Sequence, residues 1–238
     1  MPSVTLKMIL QIGLLTFIVF TACLPSTETD PYEGGLEMWE EPMHQLVMEK
    51  DNFKLMNVLI PAGDTCLFHI HRHPTIYVLL NGAKYGGQNW GKEWEHSILT
   101  DIAWAGLVQD MTEPYTTSEP PVYHRVTIPD NEDYHLMALV HTGEGDQSVD
   151  TSSRPVNSPW FRENRFKVDA GQQSDIIKLE HQSVLIQYTE GHSNILENGV
   201  SHSFKSQKGG YSYHEANVAF KIENSSTTEQ KFVAIELK

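Results

Sequence analysis

The feature that most limits the fold is a set of short runs rich in Val, Ile, Tyr and Phe, cut by Gly, Pro, Asn and Asp and laid out twice. FKLMNVLI, CLFHIHRH, IYVLL, YHRVTI and HLMALV fill the first half; RFKV, SVLIQY and FVAIEL follow in the second. Long helical periodicity is scarce, so the chain reads as an all-β barrel or sandwich. Laying NVLIPAGDTCLFHIHRHPTIYVLLNG on RFKVDAGQQSDIIKLEHQSVLIQYTEG aligns Gly63 with Gly171 and, with one extra residue, Gly82 with Gly191. YHRVTIPDNEDYHLMALV likewise matches AFKIENSSTTEQKFVAIE in its strand, polar turn, strand pattern. The simplest account is two copies of a β unit of about 90 residues.

The length of 238 residues supplies ample material for a core, and 39% hydrophobic with 20% charged residues is ordinary globular composition. The net charge of −14 argues against nucleic acid, because phosphate backbones need clustered Lys and Arg. Residues 1–23 combine Lys7 with an apolar run from Met8 to Ala22, which suits a signal peptide better than a membrane span. Its end, Phe20-Thr21-Ala22-Cys23, resembles a bacterial lipoprotein processing box, with ordinary signal cleavage as the alternative. The expectation is therefore an exported protein: a periplasmic or membrane-bound lipoprotein anchored at Cys23, or a secreted one. Without Cys23 only Cys66 remains, so no internal disulfide is available. Residues 24–42 read as an acidic tether, 43–145 as the first domain, 146–160 as a linker and 161–238 as the second domain.

Inside the first copy, three histidines fall at every second position of GDTCLFHIHRHPTIYVLLNG: His69, His71 and His73. Alternate side chains on a strand share a face, and in a small barrel one face is the interior. Two imidazoles so placed can reach one metal ion, with a further ligand from a neighbouring strand. The second copy has Ile177 and Leu179 at the positions of His69 and His71, and Phe220 at that of His124. The barrel pattern thus survives without the three histidines.

This arrangement resembles the cupin superfamily, whose first motif runs from a glycine through HxH and a glutamate to a second glycine. Gly63, His69, His71 and Gly82 fall in register, and Thr75 stands where the family usually has Glu. His124 in PPVYHRVTIPD takes the place of the histidine in the second motif. The Asn expected four residues later is Ile128 here, and Asn224 in the second copy. The resemblance implies two tandem cupin (double-stranded β-helix, jelly-roll) barrels, with a metal in the first and none in the second. It carries over His69, His71 and His124 as ligands; either His73 joins them, or three histidines leave positions for water and substrate. The ion is divalent: Fe, Mn, Ni, Zn or Cu suit imidazole to different degrees, and the sequence does not choose among them.

The remaining candidates are read as follows. His44, His96, His135, His141, His181, His192, His202 and His214 are taken as structural. Cys66, three residues before His69, is expected on the opposite side, packed outside the cavity; Phe68 and Ile70 are expected to face the second sheet layer or the other barrel. Tyr77, Lys84, Gln88 and Trp90 are candidates to line the pocket, and Asn224 is read as a turn residue rather than a glycosylation site. An incompletely filled coordination sphere favours catalysis over a structural metal. Three functions fit: a metal-dependent oxygenase, isomerase or lyase acting on a small organic substrate, a non-catalytic small-molecule or metal-binding envelope protein, or a structural bicupin whose chemistry has decayed. The partners are accordingly a small-molecule substrate or ligand, a lipid anchor and, for the assembly, a homodimer.

Overall fold

The computed structural model describes residues 34–81, 83–94, 100–102, 106, 108–111, 121–129, 132–146, 156–204 and 208–238. The signal segment, Cys23, most of the tether, Gly82 and residues 147–155 of the linker lie outside the described residues. Among the described residues nine strands form the first barrel: β1 (His44–Lys50), β2 (Phe53–Ile60), β3 (His69–His71), β4 (Thr75–Leu79), β5 (Ala83–Asn89), β6 (Thr100–Ile102), β7 (Val108–Met111), β8 (Val122–Thr127) and β9 (Tyr134–His141). The second barrel follows with β10 (Phe161–Val168), β11 (Ile177–Lys178), β12 (Ser183–Gln187), β13 (Ser193–Glu197), β14 (Val200–Ser203), β15 (Gly210–His214), β16 (Ala219–Asn224) and β17 (Gln230–Leu237).

Each barrel is two sheets. In the first, β1-β2-β9-β4-β7 faces β3-β8-β5-β6; in the second, β10-β17-β12-β15 faces β11-β16-β13-β14. The internal repeat is visible in the register: His69 pairs with His124 across β3 and β8, and Ile177 pairs with Phe220 across β11 and β16. Gly63 and Gly171, the glycines that align the copies, both turn with positive φ (83° and 67°), a conformation that a side chain would strain.

The two inner sheets, one from each barrel, carry apolar side chains on both faces. On β2, Phe53 and Leu55 enter a core shared between the barrels, whereas Met56, Val58 and Ile60 fill the interior of the first barrel. On β17, Val233, Ile235 and Leu237 meet that shared core while Phe232 and Ala234 fill the second barrel. Strand periodicity of two thus serves two cores at once. Gly34–Lys238 is accordingly one compact unit.

Two expectations change here. The acidic stretch is not a tether throughout, because from Leu36 on it packs onto the barrel. Ile70 N–H donates to Leu36 O (2.8 Å), Met38 is 2% exposed, and Glu37 pairs with Arg72 (2.6 Å). Even Glu41 is buried, its carboxylate accepting the backbone N–H groups of Met43 (2.6 Å) and Leu67 (3.1 Å). Secondly, Phe68 and Ile70 do not face the other barrel, because β3 belongs to the outer sheet. Ile70 is covered by the N-terminal segment, and Phe68 packs outside against Trp90 and Tyr123, with the Arg125 guanidinium 4.6 Å over its ring.

Asn224 ends β16, and its side chain holds the turn that follows. Its Oδ1 accepts from Ser226 N–H (2.8 Å) and its Nδ2 donates to the carbonyls of Val168 (2.9 Å) and Thr228 (2.8 Å). At 1% exposure the amide is closed to modification.

Candidate metal centre

The pairing of β3 with β8 sets the site. His69 and His124 are direct partners in the ladder and so share a face; His71, two residues along, joins them. The three imidazole rings form a near-equilateral triangle with centroids 4.9 Å (His69–His71), 4.9 Å (His69–His124) and 4.6 Å (His71–His124) apart. One ring nitrogen of each lies within 4.8 Å of the others, and His71 Nε2 is 2.9 Å from His124 Nε2. Two nitrogens bound to one ion at about 2.0–2.1 Å are at most about 4.2 Å apart; the 2.9 Å between His71 and His124 meets this, and His69, within 4.8 Å of both, needs only a small shift of its ring to join them.

The outer nitrogens are held by the protein. His69 Nδ1 donates to Leu67 O (2.9 Å), and His71 Nδ1 stands 3.1 Å from Tyr77 Oη. Such contacts fix ring orientation and leave the Nε2 lone pairs facing inward. Burial holds the rings neutral. It pushes His69 and His124 down to about 3, helped by neighbouring imidazoles, and puts His71 well below the ordinary value for the same reasons. A metal requires neutral imidazole, so the donor set suits one.

His73 does not join this triangle. Strand β3 ends at His71, and beyond it the chain turns toward Pro74, carrying His73 to another surface where its ring lies 5.8 Å from Trp39 and beside Lys54. Thr75, in the place of the family's glutamate, is buried and donates its hydroxyl to His73 O (2.9 Å).

Two residues expected elsewhere border the triangle. His44, read as structural, reaches in from β1: its ring stands edge-on to His69 at 4.6 Å, and Nδ1 donates to Met38 O (2.8 Å). Burial lowers it to about 4. Cys66 faces the interior, with Sγ 3.9 Å from His69 Nδ1 and accepting the Val126 N–H at 3.1 Å. Counting parity back from His69 failed because residues 66–68 are not strand, so the alternation does not extend to them. His44, Cys66 and His69 also bring ligand atoms within 4.8 Å of one another. Burial pushes the Cys66 thiol up to about 11, so it stays a thiol at neutral pH.

The triangle and His44 close one end of a cavity of about 100 Å³, lined further by Met38, Val58, Ile60, Tyr77, Tyr85, Gln109, Val126, Tyr134 and Leu136. Tyr77 is the one pocket candidate that the structure places here. Gln88 lies on the outer face of β5, where Arg125 Nε donates to it (2.8 Å), and Trp90 stacks outside on Tyr123 at 5.0 Å. Lys84 is exposed and does not line the cavity. The inward residue of β5 is Tyr85, one position over.

In the second barrel Ile177, Leu179 and Phe220 fill the corresponding place as buried apolar side chains. His214 stacks on Phe220 (3.8 Å), and both its nitrogens are engaged: Nδ1 with Glu197 (2.6 Å) and Nε2 with Ser212 Oγ (2.7 Å).

No family model and no curated protein sequence matches the chain. Solved structures do. AerE from Microcystis aeruginosa superposes with a TM-score of 0.54 at 14% identity, over 83% of this chain and 98% of its own. A cupin 2 conserved barrel domain protein from Leptotrichia buccalis gives 0.50 at 13%, over 82% and 88%. The oxalate decarboxylase of Lactobacillus farciminis gives 0.52 at 10%, over 79% and 77%. The fold is that of a bicupin. Agreement across both barrels bears out the tandem architecture, and the all-β bicupin has an imidazole cluster able to hold a metal in its first barrel.

Proposed function

We propose that this bicupin is a metal-dependent enzyme acting on a small organic substrate, with His69, His71 and His124 holding a divalent ion. The observation that carries the reading is the convergence of three neutral imidazoles at one end of a largely apolar cavity. A bound divalent ion would supply a Lewis acid and coordination positions for water or a substrate oxygen. The chain does the rest: Tyr77 orients His71, and Val58, Ile60, Val126 and Leu136 exclude bulk water. Tyr85, Gln109 and Tyr134 present polar groups to whatever enters. Burial holds the Tyr134 phenol protonated, and therefore able to donate a hydrogen bond.

About 100 Å³ is room for roughly three waters, given about 30 Å³ each. The substrate that fits is therefore a compact one, such as a short oxygen-bearing acid. The same tightness favours the second reading, a non-catalytic metal-binding protein of the cell envelope. Export, with lipidation at Cys23, belongs to both readings.

The deciding experiment reloads metal-free protein with Fe, Mn, Ni, Zn or Cu in turn and offers each form a set of small hydroxy, keto and dicarboxylic acids, with product followed by NMR. Turnover with one ion that vanishes in His71→Ala supports the enzyme. Stoichiometric metal with no turnover on any member supports the binding protein.

A further inference from the structure

A second cavity, of about 390 Å³, opens between the two barrels and has no part in the metal centre. Its size lies in the range of small-molecule sites, and junctions between domains are where such sites tend to form. The two cavities are back to back across one sheet. On β2, Val58 faces the metal cavity and Asn57 this cleft; on β9, Leu136 faces the metal cavity while His135 and Met137 face the cleft. The second barrel supplies the opposite wall, with Phe204, Lys208 and Tyr211.

The walls are built rather than left over. The register of β1 on β2 slips between Leu46 and Met48, so Val47 is an extra residue in the ladder. Its carbonyl accepts the Tyr211 hydroxyl (2.9 Å), which ties the two barrels at the rim of the cleft. Gly209 has φ +85° and lies against Leu80, where a Cβ would come within 2.8 Å of Cδ1. The positive φ favours glycine here, and its missing side chain lets the segment carrying Lys208 lie against Leu80.

The polar groups have one chemical bias. Lys208 is half-buried, and among the described residues no carboxylate pairs with it. His135 Nε2 donates to Asn57 Oδ1 (2.7 Å), which leaves the Asn57 Nδ2 donor free of any protein acceptor among the described residues. Burial and the Lys208 charge both lower His135, with the Asp133 carboxylate acting the other way. A cation and an amide donor thus stand in a pocket of mixed polarity, with Val47 and Tyr211 beside Ser203 and His135, in a chain of net charge −14.

We propose that this cleft binds a small organic carboxylate with an apolar body, its charge on Lys208 and Asn57 and its body against Val47 and Tyr211. An ionised partner makes the Lys208 contact a charge-assisted one, which sets the carboxylate apart from a neutral analogue of the same shape.

Cyclohexanecarboxylate and its amide test this, titrated into the full chain with binding read by ligand-observed NMR. The carboxylate should bind about tenfold more tightly than the amide. Lys208→Gln should remove that preference and Lys208→Arg should keep it, while His71→Ala should leave it intact. Equal binding of acid and amide, no binding of either, or insensitivity to Lys208→Gln would overturn the proposal. Loss of carboxylate binding in His71→Ala would also overturn it, by assigning the ligand to the metal centre.

Discussion

Phe53→Ala probes whether the two barrels stand or fall together. Phe53 is fully buried on β2 of the first barrel, and its ring stacks 5.8 Å from Tyr213 of the second, at the middle of the shared core. Removing a buried phenyl ring costs about 3–5 kcal/mol, the lost transfer energy plus the cavity left behind. Whole-protein stabilities are about 5–15 kcal/mol, so this one change removes a large share. For a unit of this size it should lower the melting temperature by about 10 °C. Hydrogen exchange under mild urea is the assay, because it reports each strand separately. If the shared core makes one cooperative unit, amides of β12 and β17 in the second barrel lose protection together with those of β2 and β9. Faster exchange confined to the first barrel, with β12 and β17 unchanged, would refute the shared-core argument.

Three further expectations follow from single residues. Cys66 should resist iodoacetamide in the folded protein at pH 8: a thiol at about 11 rather than 9.0 has about 100-fold less thiolate, and burial slows it further; rapid labelling of its peptide would contradict this. Asn224→Ala should cost about 1–3 kcal/mol in urea unfolding, since it removes the side-chain hydrogen bonds to the Val168 and Thr228 carbonyls and from the Ser226 N–H, and a shift near zero would show that the turn does not depend on it. Cys23→Ser should release the expressed protein from membranes; unchanged membrane association would count against lipidation.

The histidine triangle was legible because two signals agree: alternation places His69 and His71 on one face, and the resemblance to the second cupin motif supplies His124 from a later strand. The shared core was half-legible. FKLMNVLI has apolar residues at both parities, and Leu55 and Met56 are both fully buried, as a strand covered on two faces requires. His44 had no such signal. It reaches His69 from β1 across the barrel, and nothing near it in the sequence encodes that approach. Cys66 was misplaced and His73 left open for one reason: strand β3 is only three residues long, and parity fails on both sides of it. The inter-barrel cleft depends on a bulge at Val47 and a close approach at Gly209, both of which are properties of tertiary packing.

The central claim is that His69, His71 and His124 hold one ion. The most direct measurement is metal content per chain, by elemental analysis, of protein purified without chelator and offered Fe, Mn, Ni, Zn and Cu, for the wild type, His71→Ala and His73→Ala. The account predicts about one ion per chain in the wild type and His73→Ala, and near none in His71→Ala. A wild type that retains no stoichiometric metal, or a His71→Ala protein that keeps its full share, would contradict it.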